Sequence, residues 1–68
     1  MKNTIKVERA KLNITQAELA EKVNVSRQTI NSIEIGKFVP STLLALKIAL
    51  VFRTTVDSIF RLEEKDLN

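Results

Sequence analysis

Cysteine and histidine are absent from this 68-residue sequence, and glycine and proline occur once each. Without cysteine no disulfide can form, and without either residue the common zinc sites are excluded. Stability has to come from packing, within one chain or against a second subunit. A single Gly and a single Pro leave little room for strands joined by tight turns, whereas the abundant Ala, Leu, Ile, Lys and Glu favour helices, so the chain reads as all-α. No apolar run approaches the roughly 20 residues needed to span a bilayer, and the opening MKNTIKVERAK lacks the apolar segment of a secretion signal. A cytoplasmic location is expected. With few clustered carboxylates and no His or Cys, general acid–base chemistry has no obvious residues; neither catalysis, a cofactor nor a metal is expected. Sixty-eight residues support one core, so residues 1–68 are expected to form one domain.

What is present is a basic surplus of uneven distribution. The formal charge is +3, but Glu63, Glu64, Lys65 and Asp66 together carry −2, which leaves +5 on residues 1–62. A basic body with an acidic tip suits a polyanion such as nucleic acid.

Capping residues divide the chain into five short helices. The first runs from about Thr4 to Leu12, with Asn13 suited to the left-handed residue that ends it. Thr15-Gln16-Ala17-Glu18 has the capping-box pattern, which starts a second helix at Gln16. Its apolar residues Ala17, Leu19, Ala20 and Val23 are placed on one side, and Asn24 breaks it. Ser26 caps a third helix, Arg27 to about Ile35, which buries Ile30 and Ile33 and stops at Gly36. Only Asn24-Val25-Ser26 separates helices two and three, so the pair must cross steeply, as in a helix-turn-helix. Ser41 caps a fourth helix that continues to Phe52, and Thr55 caps a fifth from Val56 to about Phe60. Phe60-Arg61-Leu62-Glu63 alternates apolar with polar and is compatible with a short strand against Met1 to Asn3. The polar tail, 64–68, is expected to be disordered.

Read in order, Thr15-Gln16-Ala17-Glu18-Leu19-Ala20-Glu21-Lys22-Val23, then Val25-Ser26-Arg27-Gln28-Thr29-Ile30, Ile33-Glu34-Ile35-Gly36-Lys37 and Pro40-Ser41 form a pattern. It resembles, without a gap from Ile5 to Phe60, the DNA-binding domain of the phage repressor and Cro superfamily, also called the Xre family. The resemblance is greatest to its short, single-domain members, such as the cytolysin repressor. It implies a five-helix lambda-repressor-like fold and sequence-specific binding to double-stranded DNA.

The third helix presents Arg27, Gln28, Asn31 and Ser32 opposite Ile30 and Ile33. A polar helix face is ordinarily a solvated one, but Arg matches guanine O6 and N7 in a forked geometry, and Gln matches adenine N6 and N7. In this docking mode the N-terminal turn reaches deepest into the major groove. The resemblance therefore implies base contacts by Arg27, Gln28, Asn31 and Ser32. Gln16 stands at the first turn of helix two, where free N–H groups attract phosphate. With Ser26, Thr29 and Lys37 it is assigned to the DNA backbone. Arg9 and Glu34 match positions that form a structural ion pair in relatives. Two departures stand out: Arg53 occupies a place where Gly is common, and Ile35 is apolar where a polar or basic residue is frequent.

Helix four has more apolar surface than one core can use. Ala45, Ile48, Ala49 and Phe52 are expected to face inward, leaving Leu43, Leu44, Leu46, Leu50 and Val51 around the rest of its circumference. Exposed apolar patches on a small domain usually mark a partner surface. A homodimer interface is assigned to Val39, Leu43, Val56, Ile59 and Phe60, which implies a palindromic operator and a regulator, most simply a repressor. The rival reading is an antitoxin-like or adaptor protein in which the same face covers a different polypeptide.

Overall fold

In the computed structural model, which describes Met1–Asn68, five helices follow one another: α1 (Ile5–Leu12), α2 (Gln16–Lys22), α3 (Arg27–Glu34), α4 (Thr42–Val51) and α5 (Val56–Ile59). A two-stranded antiparallel ribbon joins the ends of the chain, β1 (Lys2–Asn3) against β2 (Phe60–Arg61), with Lys2 opposite Arg61 and Asn3 opposite Phe60. The alternation at Phe60-Arg61 is thus used as a strand, with Phe60 turned inward and Arg61 outward.

Local hydrogen bonding accounts for most boundaries. The Thr15 hydroxyl accepts from the Glu18 N–H while the Glu18 carboxylate accepts from the Thr15 N–H, so both halves of the capping box are present. These bonds, the one from the Thr15 backbone foremost, hold the Glu18 carboxyl below its ordinary pKa. Ser26 and Ser41 accept from the N–H groups of Thr29 and Leu44. Asn13 and Asn24 end their helices with φ of 56° and 60°, a conformation asparagine tolerates better than most residues. Gly36 follows α3 at φ 82°. Arg53, at the place where the family resemblance led glycine to be expected, adopts the left-handed form at φ 53°. Its N–H still bonds to the Leu50 carbonyl and that of Thr54 to Ala49, closing α4 in spite of the Cβ cost.

The core contains Ile5, Leu19, Ala20, Val23, Ile30, Ile33, Leu44, Ala45, Ile48, Ala49, Ile59 and Phe60. α2 packs chiefly on α3, and Ala20, nearly inaccessible, allows the two axes to approach. α4 closes the other side.

Several sequence expectations need correction. Ala17 is exposed, because it lies ~110° around α2 from the face made by Leu19, Ala20 and Val23. Leu44 belongs to the buried face of α4 with Ala45, Ile48 and Ala49, while Leu43, Leu46 and Leu50 line the opposite face. Phe52 is only half-buried at the end of that helix. Thr55 makes no side-chain cap; its hydroxyl pairs with that of Ser58 at 2.7 Å. At the first helix, expected to start at about Thr4, the side-chain cap comes from Asn3. The Asn3 Oδ1 accepts from the Ile5 N–H, its amide donates to the Ile33 carbonyl, and the Thr4 Oγ1 is buried without a partner. Finally, the polar tail is ordered as a 3-10 turn, Glu64–Leu67. Its anchor is the Met1 amino group, 3.0 Å from Glu63 and 3.1 Å from Asp66.

Candidate nucleic-acid interface

The outer face of α3 is built on three anchors. Ile30 and Ile33, both without meaningful exposure, fix the helix to the core. Ser26 caps its start, and its Oγ also lies 3.0 Å from the Thr29 Oγ1. At its other end the N–H groups of Lys37 and Phe38 both bond to the Ser32 carbonyl, which folds the loop back along the helix.

The first turn projects Arg27 and Gln28 into solvent, and neither side chain has a hydrogen-bond partner within the chain. Both keep their full bonding capacity for a ligand. Arg27 shares a depression with Thr15, Gln16 and Ala17, so the start of α3 and the start of α2 form one continuous surface. Gln28 borders a second depression, of about 230 Å³, with Ser26, Thr29, Ser32 and Phe38. Lys37 is exposed beyond the end of the helix. Ser32 and Asn31 are half-buried.

Phe38 escaped the sequence reading. It is an exposed aromatic beside the polar face, and only the turn of the loop onto Ser32 brings it there. A lone aromatic just past a recognition helix was the available signal. Its apolar edge offers a surface for a thymine methyl.

Beneath this face lies a polar cluster. The Arg9 guanidinium donates from Nε to Glu34 Oε2 at 2.7 Å and from Nη2 to Oε1 at 3.1 Å, while Nη1 donates to the Ile14 carbonyl. Side-chain exposures of 15% and 7% make this a largely buried, bidentate pair rather than a surface one. Hydrogen bonding to Glu34 raises the pKa of Arg9 further, against the opposing effect of burial. Gln16 completes the cluster: its Nε2 donates to Glu34 Oε1 at 3.2 Å and to Asn31 Oδ1 at 3.1 Å. Both amide hydrogens of Gln16 are thereby engaged within the chain.

Of the residues assigned to a dimer, Val39 and Leu43 are 61% and 64% exposed. Val56 is half-buried, whereas Ile59 is 0% and Phe60 7% exposed, enclosed by their own chain. Val39, Pro40, Leu46, Val56 and Phe60 line one apolar groove of about 390 Å³. No helix of the chain is long and apolar enough to cross a membrane.

Two helices crossing at a four-residue turn, residues 23–26, one longer than the sequence suggested because α2 ends at Lys22, with the second turning a polar face outward, define a helix-turn-helix, and residues 5–59 match the helix-turn-helix family. The chain belongs to that family, in its Cro/C1-type, Xre-like form, as the sequence pattern implied. Curated relatives extend the similarity to nearly the whole chain. It is 50% identical to an uncharacterized HTH-type transcriptional regulator of Methanocaldococcus jannaschii over 97% of this chain and 100% of the relative. It is 49% identical to one of Archaeoglobus fulgidus over 98% and 94%. A third, from Bacillus subtilis, is 47% identical over 97% and 100%. The chain is thus a member of a family of DNA-binding transcriptional regulators.

Proposed function

We propose that this protein represses transcription by occupying a palindromic operator in the cytoplasm as a two-fold homodimer, by binding alone and without chemistry. The observation that carries this reading is the pairing of exposed, unpartnered Arg27 and Gln28 with a helix that is otherwise anchored on every side. An Arg and a Gln on the opening turn of a rigid helix are suited to guanine and adenine edges in the major groove. Asn31 and Ser32 extend the base-reading face. Ser26, Thr29, Lys37 and the backbone at Gln16 hold the phosphates on either side. Support for the dimer comes from Leu43, Leu46 and Leu50 in one exposed row beside the apolar groove. A two-fold axis there sets two recognition helices about 34 Å apart, one turn of DNA. Within that interface Phe60 is part of the groove floor and Val39, Leu43 and Leu46 form the contact surface, while Ile59, fully buried behind them, belongs to the core and not to the interface.

Competition binding tests the reading, using an operator selected from genomic fragments and a scrambled duplex at several salt concentrations. Arg27→Ala and Gln28→Ala are expected to lose about 1–3 kcal/mol of discrimination per half-site at particular base pairs. Lys37→Ala is expected to weaken both duplexes alike and to reduce the salt dependence by about one phosphate contact per subunit. Equal losses on operator and scrambled DNA for Arg27→Ala and Gln28→Ala would show that α3 is not the reader.

A further inference from the structure

The hydrogen bonds beneath α3 have a direction. A carboxylate only accepts, so Glu34 Oε1 compels Gln16 to present its amide nitrogen, at 3.2 Å. That nitrogen's other hydrogen meets Asn31 at 3.1 Å, and Asn31 must answer with its oxygen. Arg9, bonded to both Glu34 oxygens, holds the carboxylate in place and prevents it from turning away. At the end of this relay the Asn31 Nδ2 has no partner in the chain. Nor is that nitrogen sealed in the core: it keeps some exposure to solvent on the half-buried Asn31.

We propose that Arg9, Glu34 and Gln16 form a polarity relay that fixes the Asn31 amide with its nitrogen outward, making Asn31 a hydrogen-bond donor in the DNA groove. The inference rests on the DNA-reading face proposed above. An unconstrained asparagine can turn its amide over and accept from cytosine N4 as readily as donate. Held by the relay, Asn31 selects an acceptor on the base edge it faces, N7 or O6 of a purine or O4 of thymine, and disfavours the amino group of cytosine. Gln16 is in this scheme a positioning residue, acting on sequence preference through Asn31.

Two measurements test the relay separately from DNA binding itself. In the free protein, nitrogen-edited NMR should show the Gln16 side-chain amide protons exchanging slowly with water and those of Asn31 exchanging freely. Protected Asn31 protons beside free Gln16 protons would overturn the polarity. On DNA, binding-site selection from randomised duplexes by the wild-type protein and Asn31→Ala locates the base pair that Asn31 reads. There the wild type should prefer an acceptor over cytosine by about tenfold, the size of one hydrogen bond. Gln16→Met, which keeps the Arg9–Glu34 pair and the backbone N–H, should reduce that preference to about twofold. A retained tenfold preference in Gln16→Met, or no position altered in Asn31→Ala, overturns the inference. The wider reading survives that result as long as Arg27→Ala and Gln28→Ala still lose discrimination, and falls with it if they do not.

Discussion

The face formed by α2 and α3 and the face formed by α4 are both exposed, yet they are specified in different ways. On the first, directional bonds set each side chain: Ser26 at the cap, Ser32 at the returning loop, and the Arg9–Glu34–Gln16–Asn31 cluster beneath. On the second, Leu43, Leu46 and Leu50 stand in a row with no polar partner to orient them. A directional surface can be interpreted from one chain, since its unpaired groups show what a ligand must supply. An apolar surface states only that something should cover it, because the hydrophobic effect has no direction.

The comparison breaks most visibly at α4 and its neighbour. Ile59→Asp is expected to unfold the protein, since it puts a charge on a residue with 0% exposure. Leu43→Glu, at 64% exposure, should keep the helical circular dichroism and shift the sedimentation equilibrium to monomer. Operator affinity should then fall by about 100-fold or more as the tethered second half-site is lost. A monomeric wild type that still binds its operator tightly would remove the interface from α4.

On the directional side, Arg9→Met should destabilise the fold by about 3 kcal/mol in urea titrations, because it leaves Glu34 largely buried and without its cation. Adding Glu34→Leu should recover much of the loss. If Arg9→Met costs less than about 1 kcal/mol, the pair behaves as a solvated one and the rigidity of the reading face has another source.

Arg53→Gly sharpens the contrast with a smaller, opposite effect. The left-handed backbone at φ 53° disfavours a Cβ, so the substitution should stabilise by about 0.5–1 kcal/mol, read as a higher urea midpoint with unchanged slope. The smallest effect belongs to the clamp on the tail. The Met1 amino group has its pKa raised by hydrogen bonding to Glu63 and Asp66. Glu63 is lowered chiefly by that amine, and Asp66 chiefly by the Glu63 N–H and then by the amine. A raised ammonium contributes below its unfolded pKa of about 8 and loses its effect as pH rises through the folded value. Lowered carboxylates contribute above about 4 and lose theirs as pH falls through the folded values. NMR signals of Glu64 to Leu67 should therefore report an ordered tail between these limits and a released one on either side, while core signals stay put.

Most helix starts and stops, the crossing of α2 on α3, the ion pair and the outward placement of Arg27 and Gln28 were legible in the sequence, whereas the caps of α1 and α5 were not. Each is decided by residues within one or two turns of each other, or by a motif whose spacing is constant: Thr15 with Glu18, Ser26 with Thr29, Asn13 and Asn24 at φ above zero. Tertiary structure alone decided which leucines of α4 were covered, since an almost wholly apolar helix carries no periodicity to say which side the core will take. It also placed Ile59 inside, by pairing β1 with β2 so that Thr4 donates to the Ile59 carbonyl. The tail was ordered only by the meeting of Met1 with Glu63 and Asp66 from opposite ends of the chain. The Gln16 amide, adjacent in sequence to a cap and free to face a phosphate, was turned inward by Asn31 and Glu34, which only the packing of α2 on α3 brings within hydrogen-bond reach. Short-range hydrogen bonds are written into neighbouring residues, whereas burial and long-range polar contacts depend on which surfaces close on one another, and that is settled by the fold as a whole.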